Sequence, residues 1–202
     1  MKKIILLATA LLTFSFGAPG CLLSQSKNIE VSWTAYKTLA KAGVKGTFTS
    51  VKYKPASLEG KNFKELFVGS TVQIDKSKIS TGNEGRDETL VRHFFSILKG
   101  KYIEAKIVDI KATTKHEKGK PRKGVVTVEI QMNGKTLAVP MRYIYDKGDF
   151  KAVGTIDLFD FAGFKALKSI NKACYDLHKG KTWNDVEIRF HTTIKATLCS
   201  TK

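Results

Sequence analysis

Val126-Thr127-Val128-Glu129-Ile130-Gln131-Met132-Asn133-Gly134-Lys135-Thr136-Leu137-Ala138-Val139-Pro140-Met141-Arg142-Tyr143-Ile144-Tyr145 decides the fold class. Apolar residues stand at every second position from Val126 to Met132, with Thr127, Glu129 and Gln131 between them. A period of two marks a strand with one face buried. Asn133-Gly134 then supplies two residues that tolerate positive φ, as the central pair of a type I′ hairpin turn requires. The return strand puts Leu137, Val139, Met141, Tyr143 and Tyr145 on one face.

The same alternation extends in both directions. Downstream it runs through Phe150, Ala152, Gly154, Ile156 and Leu158, and again through Val186, Ile188, Phe190, Thr192, Ile194, Ala196 and Leu198. Upstream it holds Ile29, Val31 and Trp33, then Val44, Gly46 and Phe48. The phase shifts before Val51 and Tyr53, which predicts a bulge. Val72 and Ile74 begin another strand, and a further one runs from Tyr102 through Ile103 and Ile107 to Ile110 with a less regular phase. About eight strands result. Several are long, so the sheet is expected to curl or close into a barrel.

Two helices interrupt it. The first is predicted over 84–98, with Leu90, Val91, Phe94, Phe95 and Leu98 on one face. The second is predicted over 161–177, with Phe164, Leu167, Ile170, Ala173, Cys174 and Leu177 on one stripe and Gly180 as its stop signal.

The 202-residue chain suits one domain. It opens with Met1-Lys2-Lys3, an apolar run from Ile4 to Phe16, and Gly17-Ala18-Pro19-Gly20. That order reads as a secretory signal over 1–20, with a short linker over 21–28 and the barrel domain over 29–202. The apolar run is too short to span a bilayer. The expected location is therefore the periplasm or outside the cell. Ala18-Pro19-Gly20-Cys21 partly resembles a lipobox, with Ala18 where Leu is usual. Lipidation of Cys21, with membrane anchoring, and ordinary cleavage after Gly20 both fit.

The three cysteines are Cys21, Cys174 and Cys199. With Cys21 lipidated, Cys174 and Cys199 are left as a disulfide pair. Without lipid, Cys21 and Cys199 can pair, because the first and last strands of a closed antiparallel barrel are neighbours. The absence of a CxxC argues against redox and zinc-cluster chemistry. The formal charge of +17 favours anionic partners. For an exported chain these are lipid head groups and envelope surfaces rather than nucleic acid. Lys111 to Lys123, with six Lys or Arg residues plus Gly119 and Pro121, reads as an exposed basic loop.

Val44-Lys45-Gly46-Thr47-Phe48 resembles the V-x-G-x-F strand of the YceI family. Ser80-Thr81-Gly82-Asn83 with Arg86-Asp87 resembles its "T-G … R-D" turn into the first helix, and His93-Phe94-Phe95 its paired phenylalanines. Gly154 to Phe161 and Thr182 to Ile188 resemble the late strand and the approach to the final one. The resemblance spans about Glu30 to Ile194. The early His-Ser pair and second His of many members are missing: Val31-Ser32-Trp33-Thr34-Ala35-Tyr36 has none, which resembles a divergent subgroup.

The resemblance implies a mainly β, eight-stranded antiparallel, lipocalin-like barrel with two short helices. It implies an apolar tunnel for isoprenoid, quinone or fatty-acid-amide ligands, and no enzymatic reaction. The expected tunnel residues are Trp33, Val44, Phe48, Val72, Ile74, Phe94, Phe95, Val128, Ile130, Val139, Met141, Ile156, Phe164 and Phe190. Arg86 and Asp87 are candidates for a head group, or for fixing the turn, with Asp87 capping the helix or pairing with Arg86. His93, His116, His178 and His191 lack metal-ligand spacing, and no nucleophile elbow or phosphate loop is present. No cofactor is expected beyond a bound lipid or isoprenoid. The partners expected are a long-chain apolar molecule, an anionic membrane surface and a second copy in a homodimer. The alternative function is a basic envelope or stress protein that binds anionic surfaces without a specific lipid.

Overall fold

A computed structural model describes residues 22–115, 117, 119–179 and 181–197. The strands are β1 (Leu23–Gln25), β2 (Glu30–Lys37), β3 (Ala42–Phe48), β4 (Val51–Lys54), β5 (Glu59–Gly60), β6 (Thr71–Asp75), β7 (Ile79–Ser80), β8 (Tyr102–Ala112), β9 (Arg122–Met132), β10 (Lys135–Asp146), β11 (Asp149–Asp157) and β12 (Thr182–Ala196). The helices are α1 (Phe63–Phe67), α2 (Glu84–His93), α3 (Phe164–Ala173) and α4 (Tyr175–His178), and a 3₁₀ turn covers Phe95–Ile97.

The antiparallel sheet runs β4-β6-β8-β9-β10-β11-β12-β2-β3-β7. Strands β3 and β4 are consecutive in sequence yet stand near opposite ends of that path. The chain turns a corner at Thr49-Ser50: Phe48 still pairs with Ile79, while Val51 already pairs with Ile74. This corner is the phase shift that the alternation showed. It bends the sheet back on itself. Counting β3 and β4 as one bent strand leaves eight long segments, with β1, β5 and β7 as short additions.

The decisive hairpin forms as its pattern requires. Met132 pairs with Lys135, and Asn133 and Gly134 take φ of 54° and 78°. Val126, Val128, Ile130, Met132, Val139, Met141 and Tyr143 are all buried. The irregular phase of β8 has a physical cause, a register shift between Ile107 and Asp109. The segment expected as a linker contains β1, which pairs with β12, Leu23 opposite Ala196.

The short helix α1 was not expected. Asn62 Oδ1 accepts from Glu65 N at 3.0 Å, and the Glu65 carboxylate accepts from Lys61 N at 2.8 Å, a reciprocal cap. Phe63 and Phe67 of α1 pack on Phe150 with centroids 5.4 and 4.7 Å apart. Phe150 stacks in turn on Tyr143 at 4.9 Å. These aromatics close one end of the barrel. Helices α2 and α3 cover the other.

The second predicted helix breaks in two at Cys174, and Lys179 takes the left-handed position after α4 with φ 54°. The break resets the helical phase. Phe164 and Leu177, expected on the buried stripe, are 59% and 81% exposed. The signal segment, Cys21, Cys199 and Gly180 lie outside the described residues.

Candidate functional site: an apolar tunnel

Between the aromatic plug and the helical cover lies a cavity of about 160 Å³ whose wall is apolar almost throughout. The inward faces of the strands make it. Trp33, Phe48, Val72, Ile74, Val128 and Ile130 line it, as do Met141, Ile156 and Phe190. Phe94 and Phe95 roof it from the end of α2, with Phe95 packed 5.9 Å from Phe48 and 6.4 Å from Trp33. Two small residues make this fit. Gly46 stands opposite Trp33, and a Cβ there would lie 2.2 Å from the indole. Gly154 similarly leaves room for Met141, 2.7 Å from where its Cβ would be.

Three expected tunnel residues stand elsewhere. Val139 is buried on the inward face but does not line the cavity. Val44 lies nearer the open end and lines a second hollow. Phe164 begins α3, beyond the reach of the barrel interior, and faces outward. Other wall residues are Ala35, Leu90, Ala105 and Ile170. Leu90 and Ile170 stand on the apolar stripes predicted for the two helices, while Ala35 and Ala105 are small residues that alternation does not set apart.

The second hollow, about 400 Å³ and partly open, is a vestibule between β2, β3 and the helices. It shares Trp33, Ala35, Leu90, Ile170 and Thr182 with the tunnel wall, so the two hollows adjoin across these side chains. Its polar lining includes Tyr36, Lys37, Asn83, Arg86, Thr89 and Thr182. Thus the tunnel is plugged at one end and adjoins at the other a mainly apolar vestibule that carries Lys37 and Arg86.

The R-D turn is built differently from the expected mutual pair. Asn83 caps α2, its Oδ1 accepting from Arg86 N at 2.8 Å. The Asp87 carboxylate accepts from Thr81 N at 2.9 Å and from the Thr81 hydroxyl. Arg86 donates from Nε to Thr81 Oγ1 and from Nη2 to Thr81 O, both at 2.8 Å. Both side chains therefore fix Thr81 rather than each other. Only Arg86 also faces the vestibule.

Lys76 supports the roof from below. Its side chain is 6% exposed, and its Nζ donates to the carbonyls of Phe95 and Leu98 at the end of the 3₁₀ turn. Burial lowers its pKa. Cys174 is buried under α3, and desolvation raises its thiol pKa, so the reactive thiolate is disfavoured. It borders the vestibule together with Thr182, where β12 begins. Cys199, its expected disulfide partner, lies outside the described residues.

The expected basic loop after β8 lies at the plugged end, where the Arg122 guanidinium sits 5.1 Å from the Phe63 ring. His191 points outward, its Nε2 3.0 Å from Asp149 Oδ1. Among the described residues no three His, Cys, Asp or Glu side chains gather as a metal site.

The family model described as the YceI-like domain matches residues 24–194. A polyisoprenoid-binding domain from Saccharophagus degradans superposes with a TM-score of 0.58 at 11% identity, covering 87% of this chain and 98% of that one. BcnA of Burkholderia cenocepacia superposes with a TM-score of 0.56 at 15% identity, covering 83% of this chain and 96% of its own. At these identities the likeness is one of fold. No curated protein is significantly similar in sequence.

Proposed function

Because the chain belongs to the YceI-like domain family, we propose that it is an exported binding protein that carries one long-chain apolar molecule in its tunnel. The observation that carries this reading is the apolar wall, adjoining at one end a largely apolar vestibule that carries the cations Lys37 and Arg86. The apolar chain enters first and runs toward the α1 plug. The polar end stays in the vestibule beside Arg86 and Lys37, where Trp33, whose indole N–H is buried without an acceptor, stands at the junction.

Size sets the energetics. A cavity near 150 Å³ holds a benzene-sized molecule, about six carbons. Burying six carbons contributes about 5 kcal/mol, a Kd in the submillimolar range before association costs. A dozen carbons contribute about 10 kcal/mol, but need the vestibule as well or a shift of the α2 roof. A ligand of isoprenoid, quinone or fatty-amide type therefore binds with its tail enclosed and its remainder in the vestibule. The signal-like segment from Met1 to Gly20 supports export, with Cys21 as the residue that lipidation would take.

Organic extraction of the purified protein followed by mass spectrometry tests the reading. A single dominant apolar species at near-stoichiometric yield is expected. Extracts that match a blank, from protein that also fails to take up added prenyl or acyl amphiphiles, would overturn it.

A further inference from the structure

The end of the barrel covered by α3 and α4 leaves large apolar side chains in water. Leu39 is 86% exposed, Leu177 81%, Tyr175 63% and Phe164 59%. They come from separate segments that the fold brings to one end. Thr38 N donates to Lys181 O at 3.0 Å, and Trp183 Nε1 donates to Thr38 O at 2.8 Å. The β2–β3 turn carrying Leu39 is thereby tied to the start of β12, just after α4. Leu177 borders the vestibule together with Lys37.

Lysines accompany these apolar side chains. Lys41 and Lys181 lie 5.0 and 4.3 Å from the Trp183 ring. On α3, Phe164, Lys168 and Lys172 are spaced four apart and all face outward, so they form one stripe. The acids at this end are fewer: Asp185 is paired with Lys41 at 2.6 Å, while Glu84, Glu88, Asp160 and Asp176 are exposed. Exposed apolar side chains interspersed with lysines, beside an indole, have the character of a surface that rests in the head-group layer of an anionic bilayer. A second copy fits worse, because two such faces would bring like charges together.

We propose that this end of the barrel docks on anionic membranes, with Leu39, Phe164, Tyr175 and Leu177 entering the head-group layer and Lys168 and Lys172 meeting lipid phosphates. The vestibule then opens onto the lipid, and an apolar molecule passes between bilayer and tunnel without crossing water. The docking surface stands independently of which molecule the tunnel holds.

Co-sedimentation of the mature protein with phosphatidylcholine vesicles, with or without phosphatidylglycerol, tests this. Binding is expected only with the anionic lipid, falling steeply with salt. The double variant Leu39→Ser, Leu177→Ser changes exposed residues only; it should keep the wild-type Tm and lose affinity about tenfold. Lys168→Glu with Lys172→Glu should lose about 25-fold or more, near fivefold for each lysine removed from the surface. Lys115→Glu with Lys123→Glu, at the plugged end, should bind as wild type. The proposal is overturned if the wild type ignores anionic vesicles, if the leucine and lysine variants at this end bind normally, or if only the plugged-end variant loses binding. It is equally overturned if the wild type is a dimer that the leucine substitutions dissociate.

Discussion

Gly46→Ala is the sharpest single test of how the tunnel wall is built. Gly46 does not take a positive φ, so alanine can adopt its backbone without strain. The effect is therefore steric. The new Cβ would lie 2.2 Å from Trp33 Cζ2, 2.6 Å from Cε2 and 2.8 Å from Cη2. Carbon atoms in contact prefer about 3.5–4.0 Å, so the indole must retreat by more than ~1 Å. Trp33 is 6% exposed and faces the tunnel, so it retreats toward Phe95 and into the cavity. Overpacking of this kind costs about 1–3 kcal/mol, and the lower entropy of the unfolded alanine chain offsets ~0.5 kcal/mol of it. Urea unfolding should show a loss of about 1–2 kcal/mol at unchanged m. Extracted ligand should fall in parallel, because the ring now occupies its space. Trp33→Phe in the Gly46→Ala background should restore part of both, a positive coupling between facing residues. Wild-type stability and wild-type ligand content in Gly46→Ala would refute the reasoning.

Other substitutions probe the supports of the site. Asn133 donates to the carbonyls of Phe161 and Ala162 at 2.8 and 3.0 Å and accepts from Lys99 N at 2.7 Å, while holding φ 54°. Asn133→Ala should lower stability by about 2–3 kcal/mol in a denaturant titration, from lost hydrogen bonds and the left-handed strain. Lys76→Met leaves two carbonyls of the roof unpaired; about 2 kcal/mol should be lost, and amide exchange over 94–99 should accelerate. Cys174 should resist iodoacetamide at pH 7 in the folded protein and react once unfolded, as mass spectrometry would show. Its raised folded pKa favours the protonated folded state. The unfolded thiol ionises first as pH passes its ordinary value of 9.0, so this group's contribution to stability falls above that pH and is absent in Cys174→Ala.

The long strands were legible because each hides one face, and a period of two survives a dozen residues. The corner at Thr49-Ser50 was visible as a broken phase, and so was the β8 bulge. The short strands β1, β5 and β7 have two or three residues each, too few to display a period. Helix α1 has five residues, but Asn62-Phe63-Lys64-Glu65 carries a readable cap that alternation alone passes over. Phe164 and Leu177 fit an uninterrupted stripe; the break at Cys174 and the start of α3 at Phe164 removed them from it. For the tunnel, the alternation identified the inward face. It could not separate Val139, which does not line the cavity, from Met141, two residues on, which does. That distinction depends on small residues across the sheet, such as Gly154 beside Met141 and Gly46 beside Trp33. Arg86 and Asp87 were found by motif, but their partner Thr81 is a matter of turn geometry.

The central claim is that the tunnel itself holds the ligand, and Ala105→Phe tests it most directly. Ala105 sits on the tunnel wall between Val72 and Ile130 on the neighbouring strands. A phenyl ring there is a benzene-sized body in a cavity of about 160 Å³, and it fills the space without opening the sheet. Side-by-side extraction and mass spectrometry should find the apolar ligand in the wild type and none in a folded Ala105→Phe protein. Equal ligand in both would place binding outside the tunnel and contradict the account.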